Sequence, residues 1–141
     1  MANFDIAISD TLIHEGANDS KMGYVNDPKD RGGETIAGIA RNFHPNDGIW
    51  KLVDYAKKAP NFPNNLRSIP NILDMIKSFY RVNYWNKILG DDIKSQDIAN
   101  MLLDKAVLEG YSAAIKRAQG IVGVVQNGIM TQELINKLNS L

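Results

Sequence analysis

Cysteine is absent from the 141 residues, so disulfides and thiolate metal sites are excluded. Charge of either sign is not in excess. Lys plus Arg and Asp plus Glu both total 16, for a formal net charge of zero. Nucleic-acid binding usually demands a basic excess, so that class of partner is not favoured. Long apolar runs are also missing. No stretch approaches the roughly 18 apolar residues of a membrane span. The first six residues have no basic segment leading into an apolar core, so they do not read as a Sec signal peptide. The two histidines, His14 and His44, have no regular spacing, and neither a metal site nor a cofactor is expected. The length suits one domain, with a core large enough to be stable without staples.

What is present is concentrated in residues 15–39. Gly23, Gly32, Gly33 and Gly38 occur there with Pro28 and the acids Asp27, Asp30 and Glu34. Glycine supplies positive φ and close backbone approach, while Pro28 pushes Asp27 toward extended geometry. The segment therefore reads as one or two short strands with tight turns. The run from Asn26 to Gly32 is superficially similar to a calcium loop, but its register and the missing terminal Glu exclude an EF-hand.

Residues 4–15 read as the first helix. At about 100° per residue, Phe4, Ile8, Leu12 and Glu15 share one face. Ile6 and Ile13 lie opposite, so much of this helix is expected to be buried. Gly16 follows as a C-cap residue. Glu15 thus ends an apolar stripe beside the negative end of a helix dipole. Both circumstances raise a carboxyl pKa, as a general acid requires. The alternative is a surface Glu at a frayed helix end. Asp27 reads best as an Asx-type turn residue, and Asp30 as a candidate second carboxylate.

A short helix is expected over residues 34–42, and a second over 49–58 with Trp50, Val53 and Tyr55 available for packing. Residues 59–65 form a loop. A long helix should start near Ser68, with Pro70 in its first turn, and run through Trp85. Its aromatic stripe, which includes Tyr84 and Trp85, could stack on sugar faces or fill a core. Ser95 can cap a further helix ending before Gly110, with Ile98, Met101, Leu102 and Ala106 on one face and Leu103 and Val107 bordering it. Residues from 113 onward read as final helices.

Glu15-Gly16, then Gly23-Tyr24-Val25-Asn26-Asp27-Pro28, Asp30, Gly32-Gly33-Glu34-Thr35 and Gly38-Ile39 resemble the signature of the glycoside hydrolase family 108 muramidases. These are phage-type lysozymes, also known as secretion activator proteins. The resemblance implies a mainly α, lysozyme-like fold with a small β-hairpin or strand-turn region after the first helix. It implies one domain over 1–141, with the muramidase signature in about 1–92 and C-terminal helices in about 93–141. It implies cleavage of the bond between N-acetylmuramic acid and N-acetylglucosamine in peptidoglycan glycan strands. Glu15 and Asp30 are the catalytic carboxylate candidates, and by the same resemblance Thr35 is a third catalytic candidate that positions water, the alternative being a strand or N-cap residue. Tyr24, Asp27, Tyr84 and Trp85 are the substrate-binding candidates. An enzyme made in the cytoplasm and acting at the wall or periplasm would need a holin or another export route. Asp104 matches an Asp typical of the family, whereas Leu108-Glu109-Gly110 lacks the family's Asn.

Two other classes stay open: a non-lytic wall-binding or secretion-assisting protein, and a lytic transglycosylase. The family usually writes Glu-Gly-Gly-Tyr without interruption. Here residues 17–22, polar and small apart from Met22, separate the two glycines. Long surface loops cost little in closure entropy, so this insert is expected to border the cleft and to be dispensable for folding; the competing reading is that Met22 is a core anchor that fixes the following strand.

Overall fold

A computed structural model describes all residues, 1–141. The chain is mainly helical, at 55%, with six α-helices and one small sheet. It divides into two compact units, Leu12–Phe79 and the pair Met1–Thr11 with Tyr80–Leu141. Helix α1 spans Phe4–His14 and carries the chain from one to the other.

The Leu12–Phe79 unit holds the glycine-rich stretch. Helix α1 ends here in a Schellman motif. The Gly16 N–H donates to the Ile13 carbonyl and the Ala17 N–H to the Leu12 carbonyl, with Gly16 at φ +79. Glu15 therefore occupies the last helical cap position, held by bonds on either side of it. Leu12 and Ala17 are both buried, supplying the apolar contact that accompanies this motif.

Three short strands follow: β1 Val25–Asn26, β2 Glu34–Ile36 and β3 Ile39–Ala40. They form an antiparallel meander in the order β1-β2-β3, with Val25 opposite Thr35 and Ile36 opposite Ile39. The expected helix over 34–42 is thus a hairpin. Its turn residues, Ala37 and Gly38, both have positive φ, at 47 and 80, as a type I′ turn requires. Thr35, Ile36 and Ile39 are β-branched and favour the strand. Ile36, Ala37 and Ile39 are fully buried, so packing of this hairpin outweighs weak local helix preference.

Helix α2 spans Ile49–Lys57 and buries Ile49, Trp50, Val53 and Ala56, while Tyr55 is exposed. The Trp50 indole N–H donates to the His44 carbonyl at 2.9 Å. Helix α3, Ile72–Tyr80, starts later than the pattern suggests, because Asn71 takes φ +66. Ile72, Ile76 and Phe79 are buried, but Leu73 is not.

The insert is part of this unit's packing. Ala17 and Met22 are buried, Met22 with only 2% of its surface exposed. The Met22 carbonyl accepts from Ala37 N–H at 2.8 Å and the Ser20 carbonyl from Arg67 N–H at 3.1 Å. The Arg67 guanidinium donates to the Asn18 carbonyl. The expectation of a dispensable loop is therefore corrected: the segment is polar by count, yet its two apolar residues point inward.

In the other unit, α3 gives way at Tyr80 to a π-helical turn, Arg81–Trp85, and then to 3₁₀ turns Asn86–Ile88 and Gly90–Asp92. The expected uninterrupted helix through Trp85 is thus replaced by a wider turn. That turn carries Arg81 and Trp85 to one carboxylate. The Arg81 guanidinium and the Trp85 indole N–H both donate to Asp91, at 2.9 Å each. The residues of α1 in this unit pack on one side only. Phe4 and Ile8 are buried and Phe4 meets Trp85 edge-on at 5.5 Å, while Ile6 is 55% exposed. Ile13, further along the helix, is also exposed. The doubly buried helix expected from the apolar pattern is in fact one-sided.

Helix α4, Gln96–Glu109, is capped by Ser95, whose hydroxyl accepts from Ile98 N–H. Its buried residues are Ala99, Leu102, Leu103 and Ala106, whereas Ile98, Met101 and Val107 are half-buried. Helices α5, Tyr111–Val122, and α6, Gln132–Asn139, complete this unit. The buried Gln119 pins the link between them. Its amide donates to the Asn127 side chain and the Ile129 carbonyl, and its oxygen accepts from Gly128 N–H.

Gly90 lies against the Trp85 ring, and a Cβ there would overlap ring atoms. Because Trp85 is fully buried, it has no room to yield. Gly90→Ala is expected to cost about 1–3 kcal/mol, the usual range for overpacking, read as a lowered midpoint in urea. An unchanged midpoint would show that the ring can move.

Candidate active site

Five of the seven residues singled out in the sequence fall within the Leu12–Phe79 unit: Glu15, Tyr24, Asp27, Asp30 and Thr35. The close approach of Gly16 and Gly23 arranges the first two. A Cβ on Gly16 would lie 3.0 Å from the Gly23 Cα, and one on Gly23 would collide with the Glu15 carbonyl oxygen. Residues 17–22 leave and return at nearly the same point, and Tyr24 follows directly. The Glu-Gly-Gly-Tyr pattern that the insert interrupts in sequence is thus reassembled in space.

Glu15 is half-buried. Burial pushes its carboxyl above the usual carboxylate range, with His14 pulling the other way. The rise arises chiefly from desolvation, which disfavours the charged form.

Asp27 and Asp30 shape the β1–β2 connection. Asp27 Oδ1 accepts from Lys29 N–H at 2.9 Å and Asp30 Oδ1 from Gly32 N–H at 2.8 Å. Both are Asx-type turns with exposed carboxylates. Thr35 is on β2, where its hydroxyl reaches the Val25 carbonyl at 3.5 Å. No three His, Asp or Glu side chains are grouped as metal ligands.

Sequence reasoning passed over the most densely bonded carboxylate. Glu34 Oε2 accepts from the Tyr24 hydroxyl at 2.6 Å and pairs with Lys57 at 2.8 Å, while Oε1 takes Arg41 at 2.7 Å. Arg41 also grips both oxygens of Asp54, at 2.7 and 2.8 Å, and lies over the Trp50 ring. Two anions and two cations thus tie β2, the residue after β3 and α2 together. Burial alone would raise the Glu34 carboxyl, but hydrogen bonds from Lys57, Tyr24 and Arg41 outweigh it and hold it below its ordinary value. Arg41 holds Asp54 down to about 2. Burial and the Glu34 carboxylate push the Tyr24 phenol well up. The available signal was the i, i+3 spacing of Asp54 and Lys57 on α2; the partners on the sheet are set by the fold.

These shifts give an acid limb to stability. Carboxyls whose folded values are depressed contribute stability above their unfolded values, near 4.5 for Glu34 and 3.8 for Asp54. That stability is lost as pH falls through the folded values. Asp54 is partly exposed, with 45% of its side chain accessible against 10% for Glu34, so solvent screening leaves most of the effect to Glu34. The melting temperature of the wild type should fall below about pH 4.5. Glu34→Gln should show a lower melting temperature at neutral pH and a flatter acid limb. Parallel acid limbs would remove Glu34 from this account. Glu15 has the opposite sign: its raised value lends stability fully below 4.5 that is lost as pH rises through the folded value.

Tyr84 and Trp85 belong to the other unit. Trp85 was expected to stack on a sugar. It is wholly buried and its indole N–H is held by Asp91, so it presents no face to a ligand. Tyr84 is half-buried and stacks on Tyr80 with ring centroids 5.6 Å apart.

A helix that ends in a capped acid and leads into a small antiparallel sheet defines a lysozyme-like fold of the peptidoglycan-hydrolase type. Residues 8–110 match the sequence model of the family described as Glycosyl hydrolase 108, and the chain belongs to that family. It is similar to the solved structure of Brucella abortus SagA, at 27% identity and a TM-score of 0.60, over 98% of this chain and 69% of that one. No curated protein matches. No helix is long and apolar enough to cross a membrane.

Proposed function

We propose that the protein is an N-acetylmuramidase that cleaves peptidoglycan glycan strands between N-acetylmuramic acid and N-acetylglucosamine, with Glu15 as general acid. The observation that carries this reading is Glu15 itself. It is a half-buried carboxyl fixed at a helix cap, raised by desolvation, inside the family-matched region. A raised value keeps the acid protonated nearer neutral pH, where it can donate to the leaving glycosidic oxygen. Asp30 serves as the second carboxylate and Thr35 positions water. Asp27 holds the loop that carries Asp30, and Tyr24 contacts sugar. The enzyme works at the wall or periplasm after export by a separate route.

Digestion of purified peptidoglycan followed by mass spectrometry tests the proposal. Fragments ending in reducing muramic acid are expected. Anhydro-muramic ends would instead make it a lytic transglycosylase, and no release would leave a wall-binding protein. The rate should fall as pH rises through the Glu15 value, because the deprotonated form has no proton to give.

A further inference from the structure

Phe43 is a large apolar side chain with 64% of its surface exposed, yet the backbone that carries it is firmly strapped. The Asn42 N–H donates to the Gly32 carbonyl at 2.9 Å, and the Asn42 side-chain amide donates to the Arg31 carbonyl at 3.0 Å. Phe43 N–H and His44 N–H both donate to the Ala40 carbonyl. The segment after β3 is therefore fixed to the β1–β2 loop. Gly32 marks the point of contact: a Cβ built there would lie 2.9 Å from the Ala40 Cβ, 3.3 Å from Asp30 Oδ1 and 3.5 Å from the Phe43 ring. An exposed ring and an exposed carboxylate thus both lie beside one glycine, on backbone held by hydrogen bonds.

That pairing has the chemistry of a pyranose subsite. The C–H face of a sugar is apolar and packs on an aromatic ring, while its hydroxyls and acetamide N–H need acceptors. Asp30 uses Oδ1 for its turn, which leaves Oδ2 as an acceptor. A rigid ring loses little conformational entropy on binding, so its contact area is available for affinity. We propose that Phe43 is a glycan-contacting, specificity-determining residue that stacks on an N-acetylated pyranose beside Asp30. The inference rests on the muramidase reading and adds to it a residue that the sequence motif does not contain.

Clearance of purified peptidoglycan by the wild type, Phe43→Ala and Phe43→Tyr tests this, with KM and kcat measured separately and melting curves as a control. Because the ring is exposed, Phe43→Ala should melt within a few degrees of the wild type. Its KM should rise roughly tenfold with kcat nearly kept, the factor that about 1.4 kcal/mol of lost binding produces. Phe43→Tyr, which keeps a ring, should restore KM to within about twofold. An unchanged KM in Phe43→Ala, or a loss confined to kcat, would overturn the subsite while leaving the muramidase reading standing. A wild type that neither clears nor binds peptidoglycan would overturn both.

Discussion

Glu15→Gln is expected to keep the fold and abolish lysis. The amide has the shape of the acid but no transferable proton, and general acid catalysis commonly supplies about 10²–10⁴-fold. Turbidity clearance of a peptidoglycan suspension measures the loss. The same substitution should not lower the melting temperature at neutral pH. Burial disfavours the ionised carboxyl at this cap, so a neutral amide removes a desolvation cost. Lost activity with unchanged or raised stability is the signature of a catalytic rather than a structural acid. A Gln variant that clears the suspension at a comparable rate would end the Glu15 assignment.

Deletion of residues 17–22 is expected to lower the melting temperature by about 10 °C or more. Its ends can be rejoined, since Gly16 and Gly23 already approach each other within ordinary contact. Joining them would nevertheless remove the buried Ala17 and Met22, and with them the Ala37 bond to the Met22 carbonyl and the Arg67 bond to the Ser20 carbonyl. Removing a buried Met side chain alone costs about 2–5 kcal/mol, and each kcal/mol shifts the midpoint of a domain this size by several degrees, roughly 2–8 °C. Met22→Ala separates the contributions, because it removes the side chain and keeps the backbone bonds. A deletion that melts within a few degrees of the wild type would return the segment to the status of a decorative loop.

The contrast between these two segments shows where sequence reading held and where it stopped. Glu15 was legible because its signals are local: an apolar stripe at helical spacing, an acid at its end and a glycine to cap it. The short strand and tight turns of residues 23–33 were legible for the same reason, since glycine and proline act on their own backbone. The hairpin at 34–40 was not, because Ala37 adopts positive φ only under the packing of Ile36 and Ile39. The insert was expected to be a surface loop because its composition is polar; the competing reading of Met22 as a core anchor is the one the packing chose, since burial of Met22 is decided by which side chains close over it. Trp85 read as a sugar platform or, as helical aromatic stripes more often are, a core residue; Asp91 and Gly90 close around it and make it core.

The sequence by itself determined the family signature, the helical class, a short strand-turn region after the first helix and the acid at the end of α1. Each depends on backbone preferences or on spacing within a few residues. Only the tertiary structure decided the Glu34–Arg41–Asp54–Lys57 network, the placing of Gly23 against Glu15 and the placing of Phe43 and Asp30 beside Gly32. Those join residues 7 to 20 or more positions apart, or close a loop on itself. Such contacts arise from chain closure and the exclusion of water, which no local pattern of residue types encodes.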